Sequence, residues 1–456
     1  MTDAARMTGP ARLLTAGVAA IRQALDGGEV TAADLTEAAM GAISRANPEL
    51  HAFITVNTGE ARATAAAADE RARAGQRRGP LHGVPVAVKD NIPTVGLRTT
   101  LNSRAYADWV PAADAPAVRR LRQAGAIVVG KTNLNEFGWS VPSPDDLVPP
   151  PRNPWNTAHE MVGSSSGSAV AVAAGLTPVA LGTDGGGSTR LPASQANLVG
   201  LKPGRDAIPG VGTAIDELSV IGILGRSAAD VSAVFEVLAG RPAPRWDADP
   251  FPLGLAVPRR QIDSLDVEDD VRTAFEADIQ ALAEMGAEIS EVDLPHLETA
   301  RDGNFVLLAA LAHAVHAPDL RRRPELIGVS ARRYHLAGSV LSVEDAVNAR
   351  RIGQVFADEV HHALGARTGL LMPVSTVGST AAARRPGEHN RGLNSTFTSP
   401  FNLAGWPAIS APSRRGGEGI PIGLQVAARP GHEEWLLELA ARAAPWLGSV
   451  SADGAR

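Results

Sequence analysis

Short apolar runs alternate with long helical stretches along the chain, and this alternation limits the fold more than any other feature. "LHGVPVAVKDN", "AIVVG", "TPVALGTD", "GLLMPVS" and "IPIGLQVAAR" are too short for helices and rich in the aliphatic residues of buried strands. "GEARATAAAADERARAG", "DAPAVRRLRQAG", "VEDDVRTAFEADIQALAEMG" and "HEEWLLELAARAAPW" read as helices. Strands and helices that alternate without an internal repeat predict an α/β fold. No glycine/serine linker divides the 456 residues, so one large domain is expected over 1–456. Its segment from about 240 to 390 is mainly helical and is expected on the substrate side.

Near the N-terminus, residues 12–47 predict two amphipathic helices broken at "DGGEVTAAD", with Thr31 as N-cap of the second. "HAFITVN" predicts a short strand, "AEISEVDL" another, and the polar "PRNPWNTAHEMV" a loop. No run of about 18 apolar residues is present, and the first residues lack a secretory pattern, so a cytoplasmic protein is expected. A net charge of −6 gives no electrostatic reason to bind nucleic acid or an anionic membrane.

Cysteine is absent, which excludes disulfides, thiolate metal sites and cysteine nucleophiles together. His313, His316, His361 and His362 do not follow the H-E-x-x-H pattern and read as packed or surface histidines; no metal is expected.

The stretch "LGTDGGGSTRLPAS", Leu181 to Ser194, admits three readings: a tight turn, a phosphate loop, or a pocket of backbone N–H groups around a reactive serine. Two nearby motifs mislead. "GAIVVGKT", Gly125 to Thr132, matches a phosphate loop by letters, but a helix precedes it and its middle residues are strand-like. "GSSSG", Gly163 to Gly167, matches a nucleophile elbow centred on Ser165 and keeps open an esterase of the α/β-hydrolase type, with Asp293 and His432 as unselected partners.

Lysine narrows the choice. Of 43 basic residues only Lys89, Lys131 and Lys202 are lysines, all within 80–205. Arginine stays protonated at any working pH, whereas a buried lysine can become a neutral base. Lys89 ends an apolar strand containing Val84, Val86 and Val88. Acting as a base near neutrality requires its pKa to fall by roughly three units, about 4 kcal/mol, which burial can supply. Pairing of Lys89 with Asp90 or Glu136 is the structural alternative.

"GVPVAVKDNIPTVGLRTT", "GKTNLNEFG", "GSSSGSAVAVAAGLTPVALGTDGGGSTRLPAS" and "GLKPG" resemble the amidase signature family in order and spacing, and "FTSPFNLAGWPAISAPSRRGGEGIPIGLQVAARPGHEEWLL" resembles its closing segment. The resemblance spans nearly the whole chain, weakest over 240–390, with a signature core at about 80–240. It implies a large mixed central sheet flanked by helices on both faces. Residue by residue, it implies Lys89 as catalytic base, Ser164 as bridging serine in a cis peptide, and Ser188 as nucleophile. The oxyanion pocket would be the N–H groups of Gly185, Gly186, Gly187 and Ser188, with Ser165, Asp184 and Arg190 in support. Asp184 and Arg190 would brace the loop by pairing, and Lys131 and Lys202 would serve packing. Val162, Asn102, Gly204 (in "KPG"), Ser219 and Ile223 depart from the family pattern without removing a catalytic group.

The implied function is an amidohydrolase cleaving a small-molecule carboxamide through an acyl-enzyme, releasing ammonia or an amine without a cofactor. Within the family the alternatives are a glutaminase subunit of a tRNA-dependent amidotransferase and an amide-forming acyltransferase. "SVPSPDDLVPPPRNPW" does not resemble the glutaminase's usual segment. A homodimer is common for such folds, although no helix marks an interface. At 4% aromatic content the composition does not argue for an aryl-lined site, and Trp139 and Trp155 are expected in the core.

Overall fold

The computed structural model describes residues 9–241, 253–378 and 395–447. Parts of the helical segment expected at 240–390 therefore lie outside the described residues. Thirteen strands are seen among them: β1 (Phe53–Val56), β2 (Pro85–Lys89), β3 (Ile127–Thr132), β4 (Arg152–Asn153), β5 (Asn156–Glu160), β6 (Val179–Asp184), β7 (Val199–Lys202), β8 (Val220–Gly225), β9 (Gly254–Val257), β10 (Glu288–Glu291), β11 (Gly369–Pro373), β12 (Ala408–Arg415) and β13 (Pro421–Ala428). Eleven form one mixed sheet in the order β1-β3-β2-β6-β8-β7-β12-β13-β11-β9-β10. β2 runs parallel to both β3 and β6, whereas β8 is antiparallel to β6 and to β7.

Successive strand residues point to opposite faces, and here both faces are covered. Val86, Val88, Val179 and Leu181 enter one core, while Ala87 and Ala180, on the same strands, enter the other. On these two strands the second face carries small residues, and helix Ser166–Ala173 packs against them. A Cβ at Gly182 would stand 2.6 Å from Ser165 Oγ, and one at Gly222 would stand 2.8 Å from Thr189 Cβ. These two glycines make room for the segments on either side of the expected nucleophile.

Local expectations fail in two places. Residues 12–47 form three helices rather than two, Pro10–Ala16, Val18–Asp26 and Ala32–Leu50, because Gly17 adopts φ 97° between the first two. Thr31 caps the third with a reciprocal capping box to Asp34. The polar segment read as a loop pairs with itself as the hairpin β4–β5, outside the main sheet. Its strands are short and mostly half-buried, so no apolar alternation marked them.

Because β2 and β6 are parallel and β8 opposes β6, Lys89, Asp184 and Val220 lie at the same end of these neighbouring interior strands. Loops leaving the carboxyl ends of parallel strands are where ligands gather in α/β proteins.

Candidate active site

Lys89 closes β2 with its side chain fully buried. Its Nζ stands 2.8 Å from Ser164 Oγ, 3.0 Å from Ser165 Oγ and 2.9 Å from Thr183 Oγ1. The acidic partners of the structural alternative turn elsewhere. Asp90 accepts from the N–H and hydroxyl of Thr100 at 2.8 and 2.5 Å, and Glu136 accepts from Gly328 N–H at 2.9 Å. Burial pulls the Lys89 ammonium down to about 7, against the attraction of the Asp184 carboxylate. Near neutrality a substantial share of Lys89 is therefore uncharged.

Ser164 follows a cis peptide bond from Gly163. It lines a cavity of about 290 Å³ together with Ser188, Gly185 and Gly186. Ser165, one residue on, is fully buried. Its hydroxyl donates to the Thr183 carbonyl at 3.1 Å and accepts the Thr183 N–H at 3.2 Å, so with Lys89 it has no free face. That geometry removes Ser165 as an elbow-type attacking serine.

The glycine loop is held from outside by its carbonyls. Asn402 Nδ2 donates to Asp184 O at 2.7 Å, Asn304 Nδ2 to Gly185 O at 3.1 Å and Thr398 Oγ1 to Gly186 O at 2.7 Å. Leu191 N–H reaches Gly187 O at 2.8 Å, and Ser165 N–H reaches Ser188 O at 3.0 Å. A trans peptide carries its C=O and the next N–H on opposite sides, so a carbonyl tied on one side turns the following N–H to the other, where those of Gly187 and Thr189 meet the Asp184 carboxylate. The N–H groups of Gly185, Gly186 and Ser188 have no acceptor among the described residues. Gly187 differs from expectation: its N–H donates to Asp184 Oδ1 at 2.7 Å, at a φ of 122° open to glycine. The pocket of free N–H groups is thus three residues, not four.

Asp184 and Arg190 are both fully buried and pair directly, Arg190 Nη2 to Asp184 Oδ1 at 2.9 Å and Nε to Oδ2 at 3.0 Å. Burial alone would raise the Asp184 carboxyl, but the Arg190 guanidinium overrides it and holds the group far below the usual carboxylate range. Arg190 also donates to Thr398 O, Gln425 Oε1 and Asn402 Oδ1. Lys131 donates to the Ile92 carbonyl and to Thr94 and Thr99, and Lys202 to the neighbouring Pro203 carbonyl, so both serve packing.

Aromatic side chains share the rest of the cavity wall with aliphatic ones, which composition did not foresee. Tyr106, Trp109, Phe137 and Trp139 line it. Trp139 is half-buried: it packs against the main core as expected, touches Phe305 and Tyr334 with ring centroids at 5.2 and 5.4 Å, and also lines the cavity. Trp155 is buried, also as expected, and bonds Ala196 O. Asp216 is the one carboxylate on the described wall, and its oxygens take the N–H groups of Val211, Gly212 and Thr213. No lysine or arginine lines the cavity among the described residues. Burial pushes His335 down to about 3, so it is neutral there.

Sequence reasoning missed Thr183, Asn304, Thr398, Asn402 and the aromatic wall. Asn304 carried a signal, a buried polar residue on a helix stripe that holds Ala300, Leu307, Leu308 and Ala312 and, further on, His316. Asn102, a departure from the family pattern, takes φ 54° in place of glycine and pins Leu134 O and Val148 through its amide.

The Amidase family model matches residues 34–437. A glutamyl-tRNA(Gln) amidotransferase subunit from Roseiflexus castenholzii is 35% identical, covering 92% of this chain and 94% of its own. A crystal structure of an amidase superimposes with a TM-score of 0.87 at 32% identity, covering 95% of this chain and all of its own. The native peptide amidase of Stenotrophomonas maltophilia matches with a TM-score of 0.79 at 28% identity, covering 94% and 96%. From its match over most of its length and its sheet of eleven strands, the chain belongs to the Amidase family, the amidase signature enzymes.

Proposed function

We propose that the protein hydrolyses a neutral small-molecule carboxamide with Ser188 as nucleophile, Ser164 as proton bridge and Lys89 as base. The observation that carries this reading is the buried Lys89, lowered to about 7 and 2.8 Å from Ser164 Oγ, beside a cavity that also contains Ser188. Neutral lysine has two N–H bonds and one lone pair. Ser165 has already committed its proton to the Thr183 carbonyl, so it accepts one N–H, and Thr183 Oγ1 accepts the other. The lone pair is left for the Ser164 hydroxyl. Ser164 passes its proton to Lys89 as it takes one from Ser188, whose Oγ forms the bond to the amide carbon. The oxyanion is received by the free N–H groups of Gly185, Gly186 and Ser188. Ser164 then returns a proton to the departing nitrogen, the C–N bond breaks, and water releases the acid from Ser188 along the reverse path.

Apart from Asp216, whose oxygens are taken by backbone N–H groups, the described walls are apolar, aromatic or neutral polar, which favours an apolar or aryl substituent over a free amino acid. A second reading, a glutamine-using component of an amidotransferase, is favoured by the relatives bearing that name, at 33–35% identity over more than nine-tenths of the chain. Fluorophosphonate labelling mapped by peptide mass spectrometry tests the machinery, and ammonia release from benzamide against glutamine separates the readings. Label on Ser188, lost in Lys89→Ala, with release from benzamide is the expected result. Label elsewhere overturns the first reading, and release from glutamine alone favours the second.

A further inference from the structure

We propose that Asn304 is a positioning residue that couples the substrate-contacting helix to the oxyanion loop. It rests on the hydrolase reading above and adds a device for selectivity. Asn304 lies on helix Leu297–Arg322, in the segment that resembles the family least, and is 1% exposed. Its Nδ2 donates to the Gly185 carbonyl at 3.1 Å across 119 residues of sequence. That bond fixes the peptide plane whose other end is the Gly186 N–H, one of the three free donors.

The same helix forms part of the cavity wall. Leu308, Ala312, Val315 and His316 line it. With Asn304 they follow at steps of four, four and then three or four, which keeps one stripe of an α-helix facing one way. One rigid element therefore touches the acyl substituent at its middle turns and holds the oxyanion loop one turn earlier. A substituent that seats against Leu308 and Ala312 keeps Asn304 in reach of Gly185. One that pushes the helix outward lengthens this bond and swings the Gly186 N–H off the oxyanion. Selectivity then enters the chemical step as well as binding.

The physical alternative, a buried amide that only satisfies itself, predicts loss of stability without a change in the chemical step. The inactivation kinetics of Ser188 by an alkyl fluorophosphonate separate the two, because displacement of fluoride places a P–O oxygen in the oxyanion pocket. Asn304→Ala is expected to lower the limiting inactivation rate constant about 10–100-fold with the half-saturating probe concentration within about twofold. Leu308→Ala is expected to raise the half-saturating concentration for a long-chain probe and to keep the limiting rate. If Asn304→Ala unfolds early, Asn304→Leu, which keeps the approximate shape and has no donor, is read in its place. A wild-type limiting rate in a folded Asn304 variant overturns the coupling. A wild-type protein that fails to label at Ser188 overturns the hydrolase reading itself, and the coupling with it.

Discussion

Lys89 Nζ and Ser164 Oγ stand 2.8 Å apart at the end of β2, with no carboxylate hydrogen-bonded to the amine. Burial makes the ammonium costly, and the attraction of Asp184, itself paired with Arg190, does not offset it, so the amine titrates near neutrality. A base of that kind works only when deprotonated. kcat/KM should therefore fall about tenfold per pH unit below about 7 and level off above it. The linkage has a definite sign: an unfolded lysine stays protonated to about 10.4, so the unfolded state binds more protons between 7 and 10, and Lys89 makes stability rise with pH across that window. Lys89→Arg, which cannot become neutral, should lose activity by about 10²–10⁴-fold. A flat pH–rate profile between 5 and 9 would exclude Lys89 as the base.

The Asp184–Arg190 pair holds the loop through charge that has no access to water. Removing one member strands the other. Asp184→Ala should cost about 3–5 kcal/mol, read from the shift in urea midpoint. Asp184 is depressed in the folded state, so its contribution is present above the ordinary carboxylate pKa and is lost as pH falls toward the folded value. A variant within 1 kcal/mol of wild type would show that the pair is dispensable.

Gly222 has no room for a methyl group, since its Cβ would stand 2.8 Å from Thr189 Cβ. Gly222→Ala should lose about 1–3 kcal/mol by overpacking and slow Ser188 labelling, because Thr189 follows Ser188 directly. Gly59→Ala, where nothing lies within 4 Å, is the control and should stay within about 0.5 kcal/mol. Equal melting of both variants would contradict the packing argument.

Trp139 contributes an aromatic face to the cavity and is itself held by Phe305 and Tyr334. Stacking adds about 0.5–1.5 kcal/mol beyond buried area. Trp139→Ala should therefore raise KM for an aryl amide about tenfold and leave KM for acetamide nearly unchanged. An equal change for both would mean that Trp139 supports the wall without meeting the substrate.

Much of this was legible in the linear chain because it is local. The apolar runs around Val86 and Leu181 specify strands by their composition, and Thr31 with Asp34 specifies a helix start by spacing. Three consecutive glycines before Ser188 permit a turn that aims N–H groups inward, and a lysine at the end of an apolar strand must lose charge once buried. The sequence by itself could not choose the partners. Lys89 and Asp90 are adjacent, yet successive residues of an extended chain face opposite ways, so Asp90 reaches Thr100 and Lys89 reaches Ser164. Gly187 looks the same as its neighbours until the Asp184 carboxylate claims its N–H. Tyr106, Phe137 and Leu308 meet around one cavity, and Asn304 reaches Gly185 across 119 residues. Local periodicity carries no information about such distances. Only the closing of the sheet and the docking of helix Leu297–Arg322 bring those groups together, and they decide which N–H groups stay free.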